Sequence, residues 1–308
     1  MTLHDTLSLR DRLQAGRFVM TAEVTPPVSM ARADLLAKAL PLKGLADAVN
    51  VTDAAGARPH LGAVTAAGLL LAEGLEPILQ LTCRDRNRIA LQSDLMSAAA
   101  LGITNLLALR GDNPEAGDQP DAKGVFDLDT RALMMTARDL RDTGMLPPAR
   151  KVAGRADFFI GCADNPLDPP PGWKPTGLLA KIEAGAQFAQ TQFCMDTGVV
   201  ARYCARLSES GIADKLHLLI GVAPLKSAKS ARWMRDKLFG TIIPDAVIER
   251  MEKASDPVAE GEAICVALIE QLAQTPGVAG VHVMAPNNDA ALPRVLAAAR
   301  RSIGVAVR

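Results

Sequence analysis

The chain has 308 residues with 34 Lys and Arg against 34 Asp and Glu, so its formal charge is zero and it has no net field to hold nucleic acid or an anionic membrane. Hydrophobic residues make up 49%, enough for a large core, while aromatics are only 3%, too few for base-stacking platforms or aromatic cages. The length exceeds that of a modal domain but is within the range of a single parallel α/β barrel.

In chain order, the first segment mixes charges with apolar residues at helical spacing from Leu3 to Ala15 and lacks the continuous apolar stretch of a secretory signal. Strand candidates follow at Phe18–Val24, Ala48–Thr52, Pro77–Thr82, Asn105–Leu109, Asp157–Cys162, Phe188–Gln192, His217–Gly221 and Val278–Met284. Between them, helical periodicity marks 31–40, 60–73, 89–101, 129–142, 176–184, 197–210, 227–238 with 244–253, and 257–274; a last helix is expected at 289–302. Eight strands alternating with helices, each a nearly continuous run of Val, Ile, Leu and Ala, call for a parallel sheet buried on both faces. The expected fold is a single (βα)8 TIM barrel over residues 1–308, with the N-terminal helix as an addition at its bottom. Two long stretches rich in Pro, Gly and Asp, 113–127 and 163–175, follow the fourth and fifth strands and are expected to be functional loops.

The most apolar run, Leu61 to Ala72, is broken by Glu73 and falls short of the roughly 20 residues that span a bilayer. A soluble, cytoplasmic protein is expected. Cys83, Cys162, Cys194, Cys204 and Cys265 form no CxxC and no cluster with His, so they are read as reduced thiols without zinc or disulfides. No Gly-x-Gly occurs, which excludes the Rossmann fingerprint, and there is no Walker A sequence. Any nucleotide would be held by barrel loops.

In such a barrel the site lies at the C-terminal ends of the strands. Glu23 ends the first strand within an apolar run, where an unpaired carboxylate is costly; burial favours the protonated form that a general acid needs. A structural ion pair with a nearby Arg or Lys accounts for it equally well. Arg110-Gly111-Asp112 ends the fourth strand with a cation, a permissive backbone position and an anion, suited to a phosphate or carboxylate, or to an ion pair at the start of the loop. Gln192 offers donors and an acceptor to a heterocycle edge, or simply caps its strand. Lys181 is either a surface lysine or a phosphate contact. The basic cluster from Cys83 to Arg88 reads as a solvated helix start with internal ion pairs, with an anion site as the alternative, and His4, His60, His217 and His282 read as structural.

The segments Thr21-Ala22-Glu23-Val24-Thr25-Pro26-Pro27, Leu81-Thr82-Cys83, Leu107 to Pro114, Lys181 to Ala186 with Thr191-Gln192-Phe193, and Gly280-Val281-His282-Val283 together resemble the methylenetetrahydrofolate reductase family, in its order, from about residue 18 to 290. The resemblance implies a βα-barrel flavoenzyme of one-carbon metabolism and methionine biosynthesis. In that family hydride passes from NADH or NADPH to FAD and then to 5,10-methylenetetrahydrofolate, giving 5-methyltetrahydrofolate. It further implies that Glu23 is the general acid, that Asp112 lies near pterin and flavin, and that Gln192 contacts folate and nicotinamide in turn. Thr52, Gln80, Arg110, Gly111, Asp112, Lys181 and Phe126 fall at flavin-holding positions. The chain departs from the family pattern at Gln80, where His is common, at Ala163, where Tyr is, at Lys174, where an acid is, and at Ala228, where an aromatic is. A flavin-free reductase using direct hydride transfer, a pterin-binding methyltransferase without redox cofactor, and a non-catalytic subunit are the alternatives; the partner is a small folate, and homo-oligomer formation is open.

Overall fold

The computed structural model describes residues 7–304. Its strands are β1 (Val19–Val24), β2 (Ala48–Val51), β3 (Pro77–Thr82), β4 (Asn105–Leu109), β5 (Met145–Leu146), β6 (Arg150–Lys151), β7 (Phe159–Asp164), β8 (Phe188–Phe193), β9 (His217–Val222) and β10 (Gly280–Val283). The helices are α1 (Leu9–Gln14), α2 (Arg32–Ala39), α3 (Ala63–Ala72), α4 (Arg88–Ala100), α5 (Thr130–Asp142), α6 (Thr176–Glu183), α7 (Thr197–Glu209), α8 (Ala228–Lys237), α9 (Asp245–Lys253), α10 (Pro257–Ala273) and α11 (Leu292–Ser302). Eight strands close a parallel barrel in the order β1-β2-β3-β4-β7-β8-β9-β10, as the alternation predicts. The strands are buried and mostly apolar because helices cover the outer face and side chains fill the inner one.

Three features differ from the sequence reading. The short antiparallel pair β5·β6 occupies a stretch to which the sequence pattern assigns no element. Strand β7 runs two residues later than predicted and ends on Asp164, whose Oδ2 accepts from the Tyr203 hydroxyl at 2.6 Å. The expected N-terminal helix is shorter, α1; residues 3–6 of that prediction and His4 lie outside the described residues.

Helix α1 closes the N-terminal end of the barrel. Leu9 and Leu13 pack with Val19, Ala48, Ile78, Leu107, Phe159, Phe188 and Leu219, and the rings of Phe159 and Phe188 stack at 5.0 Å. Two of the seven phenylalanines are thus committed to this plug and are remote from the strand ends that face a ligand. The helix starts with a Ser8–Asp11 capping box, and the Leu9 amide donates to Glu76 Oε1 at 2.9 Å. The same oxygen accepts from Asn105 Nδ2 at 2.8 Å.

Burial pushes the Glu76 carboxyl above its ordinary range, more than the hydrogen bonds from Asn105 and Leu9 pull it down. A raised folded-state value means that the stability it contributes is present at low pH and lost as pH rises through that value. Because both donors use Oε1, Glu76→Gln keeps its acceptor and removes the titration. Its stability relative to wild type is therefore expected to rise from about pH 4 to pH 6, as read by urea denaturation; a constant difference would show that Glu76 is not linked to folding.

Candidate functional site

The carboxyl ends of the strands bring Glu23, Gln80 and His282 together. Glu23 stands at the end of β1, its side chain 26% exposed, so it faces the barrel mouth and is not enclosed among apolar residues as its sequence neighbours suggest. Gln80 Nε2 donates to Glu23 Oε2 at 3.3 Å, and His282 Nε2 lies 3.7 Å from the same oxygen. Register places these side chains together, since β1 lies between β2 and β10 and β3 flanks β2. His282 is 3% exposed and is the neighbour of Glu23 that a structural assignment of the histidines misses. A barrel-closing strand with an inward His opposite a strand-end acid is the signal that locates it. His60 fits the structural reading, its Nε2 accepting from the Ala54 amide at 2.8 Å. His217 does too: it packs beside Phe159, and burial holds its imidazole below the ordinary value.

Asp112, at the start of the loop after β4, accepts from the Gly56 amide at 2.9 Å, which joins that loop to the turn after β2. Arg84 reinforces the joint. Its guanidinium reaches the Asp112 carbonyl at 3.2 Å and the Ala54 carbonyl at 3.0 Å, and its residue is only 2% exposed. The solvated helix start expected for the Arg84–Arg88 cluster is corrected here, because Arg84 is buried between two mouth loops. Of the pairs within the cluster, Arg84 with Asp85 is present; Arg86 pairs instead with Asp53 and Asp94, and Arg88 with Asp127, all outside it. Asp53 in turn accepts from the Thr82 amide at 2.7 Å and hydroxyl at 2.9 Å, tying the ends of β2 and β3.

Gly111 adopts φ +88°, and a Cβ there would stand 2.9 Å from Arg84 Cβ and 3.1 Å from Thr82 Cβ. Gly111→Ala is expected to cost about 1–3 kcal/mol and to loosen the loop that carries Asp112, read as a lowered urea midpoint. An unchanged midpoint would show that the loop relaxes freely.

Arg110 lies with its guanidinium 4.4 Å from the centre of the Phe126 ring, an arrangement that shields one face of the cation while leaving its hydrogens available. No carboxylate pairs with it among the described residues. Lys181 Nζ donates to the Ala163 carbonyl at 2.7 Å, which holds it over the end of β7, the strand beside β4. Two cations without carboxylate partners among the described residues thus flank adjacent strand ends, with the side-chain-free Gly111 between β4 and its loop. This donor set suits the diphosphate of a dinucleotide.

Thr52 is buried, with its hydroxyl 3.4 Å from His60 Nε2. Gln192 sits at a register shift between β8 and β9, the signature of a bulge that re-aims a side chain. Its Oε1 accepts from the Phe193 amide at 3.0 Å, and its NH2 has no acceptor among the described residues. The bulge depends on Gly221, where a Cβ would fall 2.3 Å from the Thr191 carbonyl oxygen. Glu23 and Gln80 are in contact, and so are Arg110 and Phe126; Asp112, Gln192, Thr52 and Lys181 each bond to other groups around the mouth. Among the described residues no His, Cys, Asp and Glu group suits a metal, the cysteines are free and buried, and no helix is long and apolar enough to cross a membrane. Burial pushes the Cys83 thiol up to about 11, so it is no nucleophile.

A closed parallel barrel with a carboxylate, amides and cations at its strand ends places the molecule among (βα)8-barrel proteins whose ligand site is the C-terminal mouth. The chain belongs to the methylenetetrahydrofolate reductase family, whose family model matches residues 8–300. It is 26% identical to a probable methylenetetrahydrofolate reductase (NADPH) of Caenorhabditis elegans over 75% of this chain and 33% of that protein. With 5,10-methylenetetrahydrofolate reductase of Salmonella typhimurium it shares 30% identity over 53% of this chain and 49% of the relative. The alignments thus cover a third to a half of these curated relatives. Among solved structures, an uncharacterized protein from Clostridium thermocellum that binds two copies of 5-methyl-5,6,7,8-tetrahydrofolic acid superposes with TM-score 0.64 at 12% identity, covering 95% of this chain and 98% of that one. DmoA from Hyphomicrobium sulfonivorans gives TM-score 0.57 at 10% identity over 94% and 89%. At those identities the likeness speaks to the fold alone.

Proposed function

We propose that this barrel interconverts 5,10-methylenetetrahydrofolate and 5-methyltetrahydrofolate, with NADH or NADPH as hydride donor and FAD as bound carrier. The observation that carries the reading is the Glu23 carboxyl at the mouth, bonded at one oxygen by Gln80 with His282 Nε2 3.7 Å from the same oxygen, in a chain of this family. Opening the five-membered ring of the substrate requires a proton on its bridging nitrogen, and Glu23, whose Oε1 receives no donor among the described residues, is a mouth carboxyl able to supply it. Gln192, with an unused NH2, offers donors to a pterin or nicotinamide edge. Asp112 is held by the Gly56 amide and Arg84, so it presents a fixed acceptor at the rim.

For FAD, Arg110 and Lys181 would take the diphosphate, Gly111 would admit its close approach, and Thr52, Gln80 and Phe126 would border the rest. When bound, it supplies a two-electron carrier between nicotinamide and folate. Gln80 donates its amide to Glu23, an observation that favours a second reading, flavin-free direct hydride transfer, since that side chain is already engaged.

The test is an absorbance spectrum of the purified protein followed by anaerobic addition of NADPH or NADH and then of the folate. A band near about 450 nm that bleaches with nicotinamide and returns with 5,10-methylenetetrahydrofolate supports the flavin route. Folate-dependent oxidation of nicotinamide without the band supports direct transfer. No nicotinamide-dependent conversion with either donor overturns the proposal and leaves a pterin-binding role without redox chemistry.

A further inference from the structure

Between the apolar plug and the mouth, the barrel interior holds a chain of buried polar side chains that the proposed reaction does not by itself require. Strands β2 and β8 stand opposite one another in the eight-stranded order. Asn50 on β2 and Gln190 on β8, 0% and 3% exposed, meet across the interior. They exchange two amide hydrogen bonds: Asn50 Nδ2 donates to Gln190 Oε1 at 2.6 Å, and Gln190 Nε2 donates to Asn50 Oδ1 at 2.9 Å. The second Gln190 proton goes to Thr21 Oγ1 at 3.1 Å. Thr21 Oγ1 lies 3.0 Å from His282 Nδ1, and His282 Nε2 faces Glu23 Oε2 at 3.7 Å.

With Gln190 Nε2 turned toward Thr21, the valence of each group sets the direction of the rest of the chain. Reversing one amide alone would set two NH2 groups or two carbonyls face to face in a buried site, so the pair is orientated as a unit. A hydroxyl that accepts from Gln190 still has its own proton to give. Its nearer acceptor is His282 Nδ1, since the Val281 carbonyl is at 3.3 Å. A neutral imidazole that accepts at Nδ1 carries its proton on Nε2, the nitrogen turned toward the carboxylate. Both ends of the ring therefore ask for the same tautomer.

We propose that Asn50, Gln190 and Thr21 are positioning residues that hold His282 in its Nε2-protonated tautomer and aim that N–H at Oε2 of Glu23. Gln80 Nε2 donates to the same oxygen. With Gln80 donating to Oε2 and the His282 N–H turned toward the same oxygen, a protonated Glu23 keeps its carbonyl oxygen there and carries its proton on Oε1, which no donor among the described residues reaches. The amide pair thus decides which oxygen of the acid presents the proton. The catalytic consequence rests on the reading of Glu23 as the acid; the tautomer does not.

The experiment is nitrogen-15 NMR of protein labelled at histidine, with the His282 signals assigned by their loss in His282→Gln. Wild type is expected to show Nδ1 as the unprotonated nitrogen and Nε2 as the protonated one near neutral pH. Thr21→Val, nearly isosteric, removes the hydroxyl and is expected to mix the tautomers; Thr21→Ser is expected to recover the wild-type pattern. In turnover assays Thr21→Val should lower kcat about tenfold while the KM for folate stays within about twofold. Should Gln190→Leu alone fail to fold, Asn50→Leu with Gln190→Leu removes both amides together and leaves no orphaned group. His282 found as the Nδ1–H tautomer or as imidazolium in wild type, or unaltered in Thr21→Val, overturns the proposal. A protein with the expected tautomer but no folate turnover would overturn the reductase reading and leave this inference standing.

Discussion

Glu23→Gln is expected to lower folate turnover by about 10²–10⁴-fold, the range supplied by a positioned general acid, while folate binding measured by calorimetry stays within a few-fold of wild type. The geometry makes this a clean substitution. Gln80 Nε2 donates to Oε2, so the introduced amide settles with its oxygen at that position and its NH2 where Oε1 stood, preserving the shape of the mouth. Only the transferable proton is lost. Steady-state assays with each nicotinamide separate the possibilities: kcat falling with KM unchanged marks Glu23 as the acid, and a fully active variant removes it from the chemistry.

The second large effect is on stability. Arg300 on α11 is fully buried, with its Nη2 2.8 Å from Asp47 Oδ1 and its Nε 2.5 Å from the Leu45 carbonyl. Asp47 also accepts from the Met20 amide at 2.7 Å and has Arg12 Nε of α1 at 3.9 Å. Removing one member of a buried ion cluster leaves the remaining charges desolvated with fewer compensating partners, which costs up to about 3–5 kcal/mol. Arg300→Met is expected to reach that range in urea denaturation. Asp47→Ala should cost at least as much, because it deprives two guanidiniums and one strand amide at once. A loss below about 1 kcal/mol for Arg300→Met would show that water reaches the cluster and screens the pair. The cluster couples the last helix to the first helix and strand, so both variants are also expected to weaken the plug at the barrel bottom.

How far the sequence can be read depends on whether a property is local. Strand and helix positions were legible because the hydrophobic period is written residue by residue, and Asn87, Asp129, Asp196, Ser227 and Asp256 cap helices within two or three residues of their own positions. The pair β5·β6 escaped because two-residue strands carry no period. The late end of β7 escaped because the apolar run from Phe158 to Cys162 fixes a strand without fixing its last residue. Around the mouth, Glu23 stands out as a charge within an apolar run, and Arg110, Gly111 and Asp112 as two charges about a permissive glycine directly after one.

Arg84 and His282 did not stand out. Nothing near Arg84 in the chain shows that two loops from β2 and β4 close over it, and nothing near His282 shows that barrel closure sets β10 beside β1. The same holds for Asn50 and Gln190, 140 residues apart, which read as ordinary polar residues within strands until the barrel brings them opposite one another. Period, capping and family motifs act within a few residues and so specify the barrel and the residues lining its mouth. Which nitrogen of His282 faces Glu23, and which cations remain without a carboxylate, are set by contacts between distant strands and loops, and those exist only once the sheet has closed.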